Sequence, residues 1–167
     1  MSGARWRTVL ALVLLGSVAL ACAGDGNSNG DGSDAETIAP LFPASYLDTY
    51  TEVRDCRESG DHDLNMVRIL ASKKALTPYQ ERMDPFPVGA VVLKEEYEFG
   101  DPCEGPIKQW TVMKKLEDGS SKDTLDWSWQ RVDADRKVVD SNPSRCISCH
   151  QGCGIPPDGY EGTCAMP

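Results

Sequence analysis

The sequence predicts an α+β fold in which an antiparallel β-sheet carries flanking helices and a Cys-x-x-Cys-His segment stands near the C-terminus. Three observations lead there. Residues 126–133 alternate, with Trp127 and Trp129 on one side. Residues 90–99 open with a β-branched run and alternate toward their end. Gly, Pro and Asp clusters separate these runs at turn-like intervals.

Along the chain, Ser45 is a candidate cap for a helix over Tyr46 to Arg54, because Tyr46, Leu47, Tyr50 and Val53 fall at helical spacing. Gly60-Asp61 ends it. Asn65 to Ala71 reads as a strand. Lys73 to Met83 reads as a second helix, with Pro78 near one of its turns. Pro85-Phe86-Pro87-Val88-Gly89 is a turn that launches the strand Ala90 to Phe99, and Gly100-Asp101-Pro102 stops it. Gln109 to Leu116 and Asp126 to Asp133 are further strands, the latter with a mostly polar face opposite its tryptophans. Asp140-Ser141-Asn142-Pro143 then turns into the Cys-x-x-Cys-His segment. No internal repeat is visible.

Cys146-Ile147-Ser148-Cys149-His150 is the attachment signature of a c-type haem. In such a site each cysteine forms a thioether to a vinyl group, and the adjacent histidine lies under the iron. The chain has seven cysteines and two histidines, and a shuffled chain of that composition produces the spacing in about 0.3 % of cases, so coincidence is a poor explanation. A zinc knuckle from Cys146, Cys149, His150 and Cys153 is the competing metal reading, but four ligands within one short turn make a poor tetrahedron. A disulfide cluster is the other alternative.

The N-terminus supplies a compartment. Arg5 and Arg7 precede an apolar stretch, Val9 to Leu20, too short to span a membrane and typical of a secretory signal. Ala19-Leu20-Ala21-Cys22 resembles a bacterial lipobox, so residues 1–21 are expected to be a lipoprotein signal and Cys22 the lipidated residue. An ordinary signal peptide cleaved near Ala23 is the alternative. Residues 22–40 then form a polar, disordered tether, and residues 41–167 the folded haem domain of about 125 residues, enough for one core. The expected location is the bacterial cell envelope, facing the periplasm or the cell exterior, with the membrane reached through the lipid alone.

The formal net charge is −9, and removal of the two signal arginines leaves 15 basic against 26 acidic residues. That balance argues against nucleic acid and against a polybasic membrane patch. With Cys22 assigned to lipid and Cys146 and Cys149 to haem, Cys56, Cys103, Cys153 and Cys164 remain. An even remainder in an oxidising compartment suggests two disulfides. Three pairings are possible, and Cys153–Cys164 with Cys56–Cys103 is the favoured one.

The chain resembles the cytochrome P-460 family, which includes the cytochromes c-prime-beta, over roughly Pro43 to His150. The residues are Tyr46 to Val53 as an opening helix, Met66-Val67-Arg68-Ile69 as a first strand, and the run Phe86 to Glu95. They continue with Asp126-Trp127-Ser128-Trp129 and Cys146 to His150. The run Phe86 to Glu95 fits the family's Phe-x-x-Gly-x-x-x-x-Lys-Glu. The resemblance implies one covalently attached haem c with five-coordinate iron on His150. It places Lys94 at the macrocycle, bonded to it in cytochromes P-460, and Arg68 in the pocket near bound ligand. Taken alone, Lys94 is a strand lysine sharing a face with Val92 and Glu96, and Arg68 a sheet-surface arginine pointing opposite to Val67 and Ile69.

The resemblance further implies redox chemistry on hydroxylamine or nitrogen oxides, with Lys94 and Arg68 as the catalytic pair and a periplasmic redox partner. Members often form dimers, so a homodimer is also implied. Some hydroxylamine-oxidising members carry a proton-accepting carboxylate on the next strand. Here that strand reads Trp110-Thr111-Val112-Met113, with Trp110 in its place by position, and Asp158 and Tyr160 only partly match the family's tail. Two other functions fit the motif. One is a cytochrome binding nitric oxide or carbon monoxide behind an apolar wall such as Phe86 or Trp110. The other is an electron carrier with Met66, Met83 or Met113 as sixth ligand. His62, in Gly60-Asp61-His62-Asp63, reads as a surface loop residue.

Overall fold

The computed structural model describes residues 38–154 and 159–164. The expected signal, Cys22 and most of the tether lie outside the described residues, as does Asp158. The fold is α+β, with a six-stranded sheet in simple meander order. The strands are β1 (Tyr50–Glu58), β2 (Met66–Ser72), β3 (Val91–Tyr97), β4 (Gln109–Lys115), β5 (Trp127–Asp133) and β6 (Val138–Ser141). Every neighbouring pair is antiparallel. Three helices accompany them: α1 (Tyr46–Thr49), α2 (Leu76–Glu81) and α3 (Ser144–Gln151).

The sheet is buried on both faces. On one face Ile69, Ala71, Val92, Met113, Trp127 and Trp129 pack with Tyr79 of α2 and with Phe86. On the other, Leu70, Leu93, Trp110, Val112 and Val132 pack with Phe42 and Tyr46. Strands covered on both faces lose the apolar/polar alternation of a half-exposed sheet. This explains β3, whose seven residues are apolar or fully satisfied and nearly all buried. It also corrects the expectation of a polar reverse face on β5, where Gln130 and Val132 are both buried.

Two other expectations change. The opening helix stops after a single turn at Thr49, and the chain from Tyr50 onward is strand. Tyr50, Thr51 and Val53 favour a pleated surface, and pairing of Tyr50 with Ser72 and of Thr51 with Ala71 settles the choice. The second helix covers only Leu76–Glu81, ended by Arg82 in the left-handed region at φ 54°. The edge strand β6, short and half polar, lies where a turn was expected to begin.

Two disulfides form, in the favoured pairing. Cys56–Cys103 ties β1 to the loop between β3 and β4, and Cys153–Cys164 ties the end of α3 to the tail. Cys146 and Cys149 are the free cysteines among the described residues.

Candidate functional site

The site lies on the face of the sheet that carries Trp127 and Trp129, beneath α3. Cross-strand register fixes which side chains reach it. Arg54 pairs with Ile69, Ile69 with Lys94, and Lys94 with Thr111, so these four project from one face. One row further on, Val92 pairs with Met113 and Met113 with Trp129. Ile69, Lys94, Thr111, Val92, Met113 and Trp129, with Tyr79 of α2 and Cys146 and His150 of α3, line a pocket with about 540 Å³ of empty space counting the solvent at its open mouth.

Helix α3 starts directly after Pro143, whose extended backbone turns the chain into it. Cys146 and Cys149 are three residues apart and His150 four from Cys146, so all three share one side of the helix. Cys146 is half-buried against the core and lines the pocket, while Cys149 is exposed. Burial pushes the Cys146 thiol up from its ordinary value. The His150 ring packs edge-on against Trp129, with centroids 4.7 Å apart. Burial lowers His150 to about 4, so the imidazole is neutral at pH 7. Its Nδ1 donates to the carbonyl of Gly162. That bond fixes the tautomer and leaves the Nε2 lone pair for a metal.

Lys94 points into the same pocket. Desolvation pulls its ammonium down to about 8, an effect that the charge of Glu96 partly offsets. Its Nζ lies 2.6 Å from Nε2 of His62. The other ring nitrogen of His62 lies 2.9 Å from Oε1 of Glu96. Glu96 is 1 % exposed. Its carboxylate also accepts from Asn65 at 3.0 Å, Gln109 at 2.8 Å and Thr111 at 2.8 Å. Burial raises the Glu96 value, but the bonds from His62, Gln109 and Asn65 outweigh it and hold the group at about 2. An ionised carboxylate is an acceptor only, so Nδ1 of His62 carries the proton and Nε2 accepts from Lys94.

The structure therefore brings Lys94, Cys146 and His150 around one pocket, with Cys149 exposed on the next turn from Cys146. Arg68 is not among them. It pairs with Glu95, whereas Ile69 pairs with Lys94, so Arg68 and Lys94 leave the sheet on opposite faces. Arg68 Nε donates to Glu95 at 2.6 Å in a buried cluster with Tyr46 and Tyr97. This corrects the expectation of Arg68 in the ligand pocket. Trp110 belongs to that opposite face too, donating to Tyr46 at 3.2 Å, and contributes no pocket wall. On β4 the pocket receives Thr111 and Met113 instead. Met83 is 75 % exposed, Met66 is half-buried, and Met113 alone of the three lines the pocket.

His62 and Glu96 were not foreseen as site residues. Glu96 carries a faint signal, two residues after Lys94 on the same strand face. His62 carries none, because its contact with Lys94 depends on how the loop between β1 and β2 folds over the sheet.

The residues present fit a haem. Two free thiols lie three residues apart on a helix, beside a neutral imidazole with an open nitrogen and a wall of Ile69, Val92 and Met113. Buried Nε atoms of Arg54 and Arg57 have no hydrogen-bond partner, and both residues stand on the pocket face of β1. Free guanidinium donors on that face of the sheet suit the carboxylates of such a group. A zinc knuckle does not fit. Cys153 is held in a disulfide, and no three His, Cys, Asp or Glu side chains converge on a metal position among the described residues.

An antiparallel sheet, a covering helix and the pocket between them thus make up the candidate cofactor site. Residues 43–154 match the family described as Cytochrome P460, and the chain belongs to that family. Membership implies a haem cofactor. No curated protein matches the chain.

Proposed function

We propose that this chain is a periplasm-facing c-type monohaem oxidoreductase that oxidises hydroxylamine to nitrogen oxides. Cys146 and Cys149 carry the thioethers, His150 binds the iron, and Lys94 bonds to the edge of the macrocycle. The haem supplies the redox chemistry and passes electrons to a periplasmic partner. The protein sits at the membrane through a lipid on Cys22.

One observation carries the catalytic reading. Oxidation of hydroxylamine releases protons, and a base must stand within hydrogen-bond reach of them. The strand that bears the family's carboxylate has none here, yet His62 lines the pocket with Glu96 behind it at 2.9 Å. The carboxylate holds the ring in one tautomer and stabilises the imidazolium that forms on proton uptake, and Nε2, which accepts from Lys94 at 2.6 Å, takes a substrate proton once Lys94 turns to the macrocycle. The base has moved from β4 to the loop between β1 and β2. Burial lowers Lys94 to about 8, so part of its amine is neutral at pH 7; a bond to the macrocycle would replace a ring C–H and would need an external two-electron oxidant to take up the electrons released with the protons.

The test is hydroxylamine-dependent reduction of an artificial electron acceptor by the matured protein. Turnover is expected, and His62→Gln should cut kcat about 100-fold without changing the haem spectrum. A haem-loaded protein that never turns over hydroxylamine would refute the proposal. The apolar wall of Ile69, Val92 and Met113 favours a second reading, a non-catalytic nitric oxide or carbon monoxide carrier. Tight gas binding without turnover would identify it.

A further inference from the structure

The segment Gly159–Cys164 lies beyond the residues shared with the family, which end at 154. It nevertheless supplies the hydrogen-bond partner of His150. Its backbone is laced to the end of α3: Gly162 N donates to the Cys153 carbonyl at 3.1 Å and Glu161 N to Gly154 at 3.1 Å. Cys153 N in turn donates to the His150 carbonyl at 3.0 Å. Tyr160 and Thr163 close a small bridge around the turn. On the sheet side, Trp127 Nε1 donates to the Glu161 carbonyl at 2.9 Å, and the Glu161 carboxylate accepts from Phe86 N at 3.0 Å. Gly162 sits at φ +85°, where a side chain would be strained, and an added Cβ would come within 3.1 Å of Leu125. Its carbonyl is thereby aimed at Nδ1 of His150. The disulfide Cys153–Cys164 closes the segment at its far end, two residues after that carbonyl.

We propose that the Cys153–Cys164 disulfide is a positioning device for the iron ligand, holding the tail so that Gly162 sets the orientation and donor strength of His150. The inference rests on His150 as ligand, as argued above. An imidazole whose second nitrogen donates to a carbonyl is a stronger electron donor, and a stronger donor favours the oxidised metal. With the disulfide open, the tail keeps its hydrogen bonds to Cys153, Gly154, Trp127 and Phe86 but loses its covalent tie to α3, and the aim of the Gly162 carbonyl loosens. The haem potential then rises and the iron–histidine bond weakens.

The experiment uses the full, haem-loaded protein in its oxidised form. Its midpoint potential and the iron–histidine stretching band of the reduced state are compared with those of Cys153→Ala/Cys164→Ala. Cys56→Ala/Cys103→Ala serves as the control, since that disulfide lies away from α3. The expected result is an upward shift in potential and a lowered stretching frequency in the first variant, with the control matching wild type. Should the first variant fail to mature, the wild-type protein is treated with a dithiol, which cleaves the S–S bond to two thiols and is itself oxidised to a cyclic disulfide. The thiols are then alkylated, the reagent is removed and the same two quantities are read. Potential and band both unchanged after loss of Cys153–Cys164, or moved equally by loss of Cys56–Cys103, would overturn the proposal. Neither readout depends on hydroxylamine, so its failure is distinct from failure of the catalytic reading.

Discussion

Replacing Lys94 by Met should make the haem-free chain more stable, an unusual outcome for a buried position. Lys94 has a value of about 8 in the folded protein against an ordinary 10.5. At about 1.4 kcal/mol per unit, the charged form costs about 3 kcal/mol on folding at neutral pH. The side chain keeps some solvent access through the pocket mouth, which reduces the figure to about 2 kcal/mol. Methionine matches the stem in length and removes the charge, while Glu96 keeps His62, Asn65, Gln109 and Thr111 as partners. A midpoint increase of roughly 5–10 °C is expected at pH 7 for a domain of this size. Between about 8 and 10.5 the unfolded chain binds the extra proton. Stability of the parent therefore rises with pH across that window, and the advantage of Lys94→Met should vanish by its upper end. The assay is urea unfolding across pH in a Cys146→Ser/Cys149→Ser background, which excludes haem and thiol exchange. A Lys94→Met chain less stable than its parent at pH 7, or a difference independent of pH, would refute the claim that Lys94 is kept in the pocket at the expense of stability.

His150 is held at about 4 against an ordinary 6.5, so the unfolded chain takes up its proton first as pH falls. The haem-free chain should lose about 3 kcal/mol between those values, and His150→Gln should abolish that part of the pH dependence in denaturant titrations. Arg68→Leu leaves Glu95 buried without its cation and should cost about 3 kcal/mol, measured by urea unfolding. Because Arg68 faces away from the pocket, the affinity of the haem-loaded variant for nitric oxide should stay at the parent value. Trp127 is fully buried and bonded to the tail through Glu161. Trp127→Ala should cost roughly 3–5 kcal/mol by thermal unfolding.

The sheet was legible in sequence where the local pattern was strong. Strands β3, β4 and β5 follow from β-branched and aromatic runs between Gly and Pro breaks, and their bounds moved by only a residue or two. Residues 50–58 were not legible, because Tyr46, Tyr50 and Val53 satisfy helical spacing as well as a strand of uneven burial. Short segments are ambiguous by periodicity, and pairing with β2 is a non-local choice. The site divides in the same way. Cysteine spacing, the His150 position and Lys94 are written in local motifs. The side of the sheet that Arg68 takes is a matter of register with β3, since a shift by one residue exchanges the faces. His62 reaches Lys94 across 32 positions of sequence through a loop with Asp63 and Leu64 in the left-handed region, and no pattern in the chain announces such a contact.

The optical spectrum of the reduced protein, matured in a host that attaches c-type haem, tests the central claim most directly. A haem that stays with the denatured chain and shows a broad, strongly red-shifted main band is the expected result, since it requires both the α3 attachment and the bond to Lys94. An unshifted c-type spectrum that Lys94→Met leaves unchanged would contradict the role given to Lys94, and a chain without bound haem would contradict the site itself.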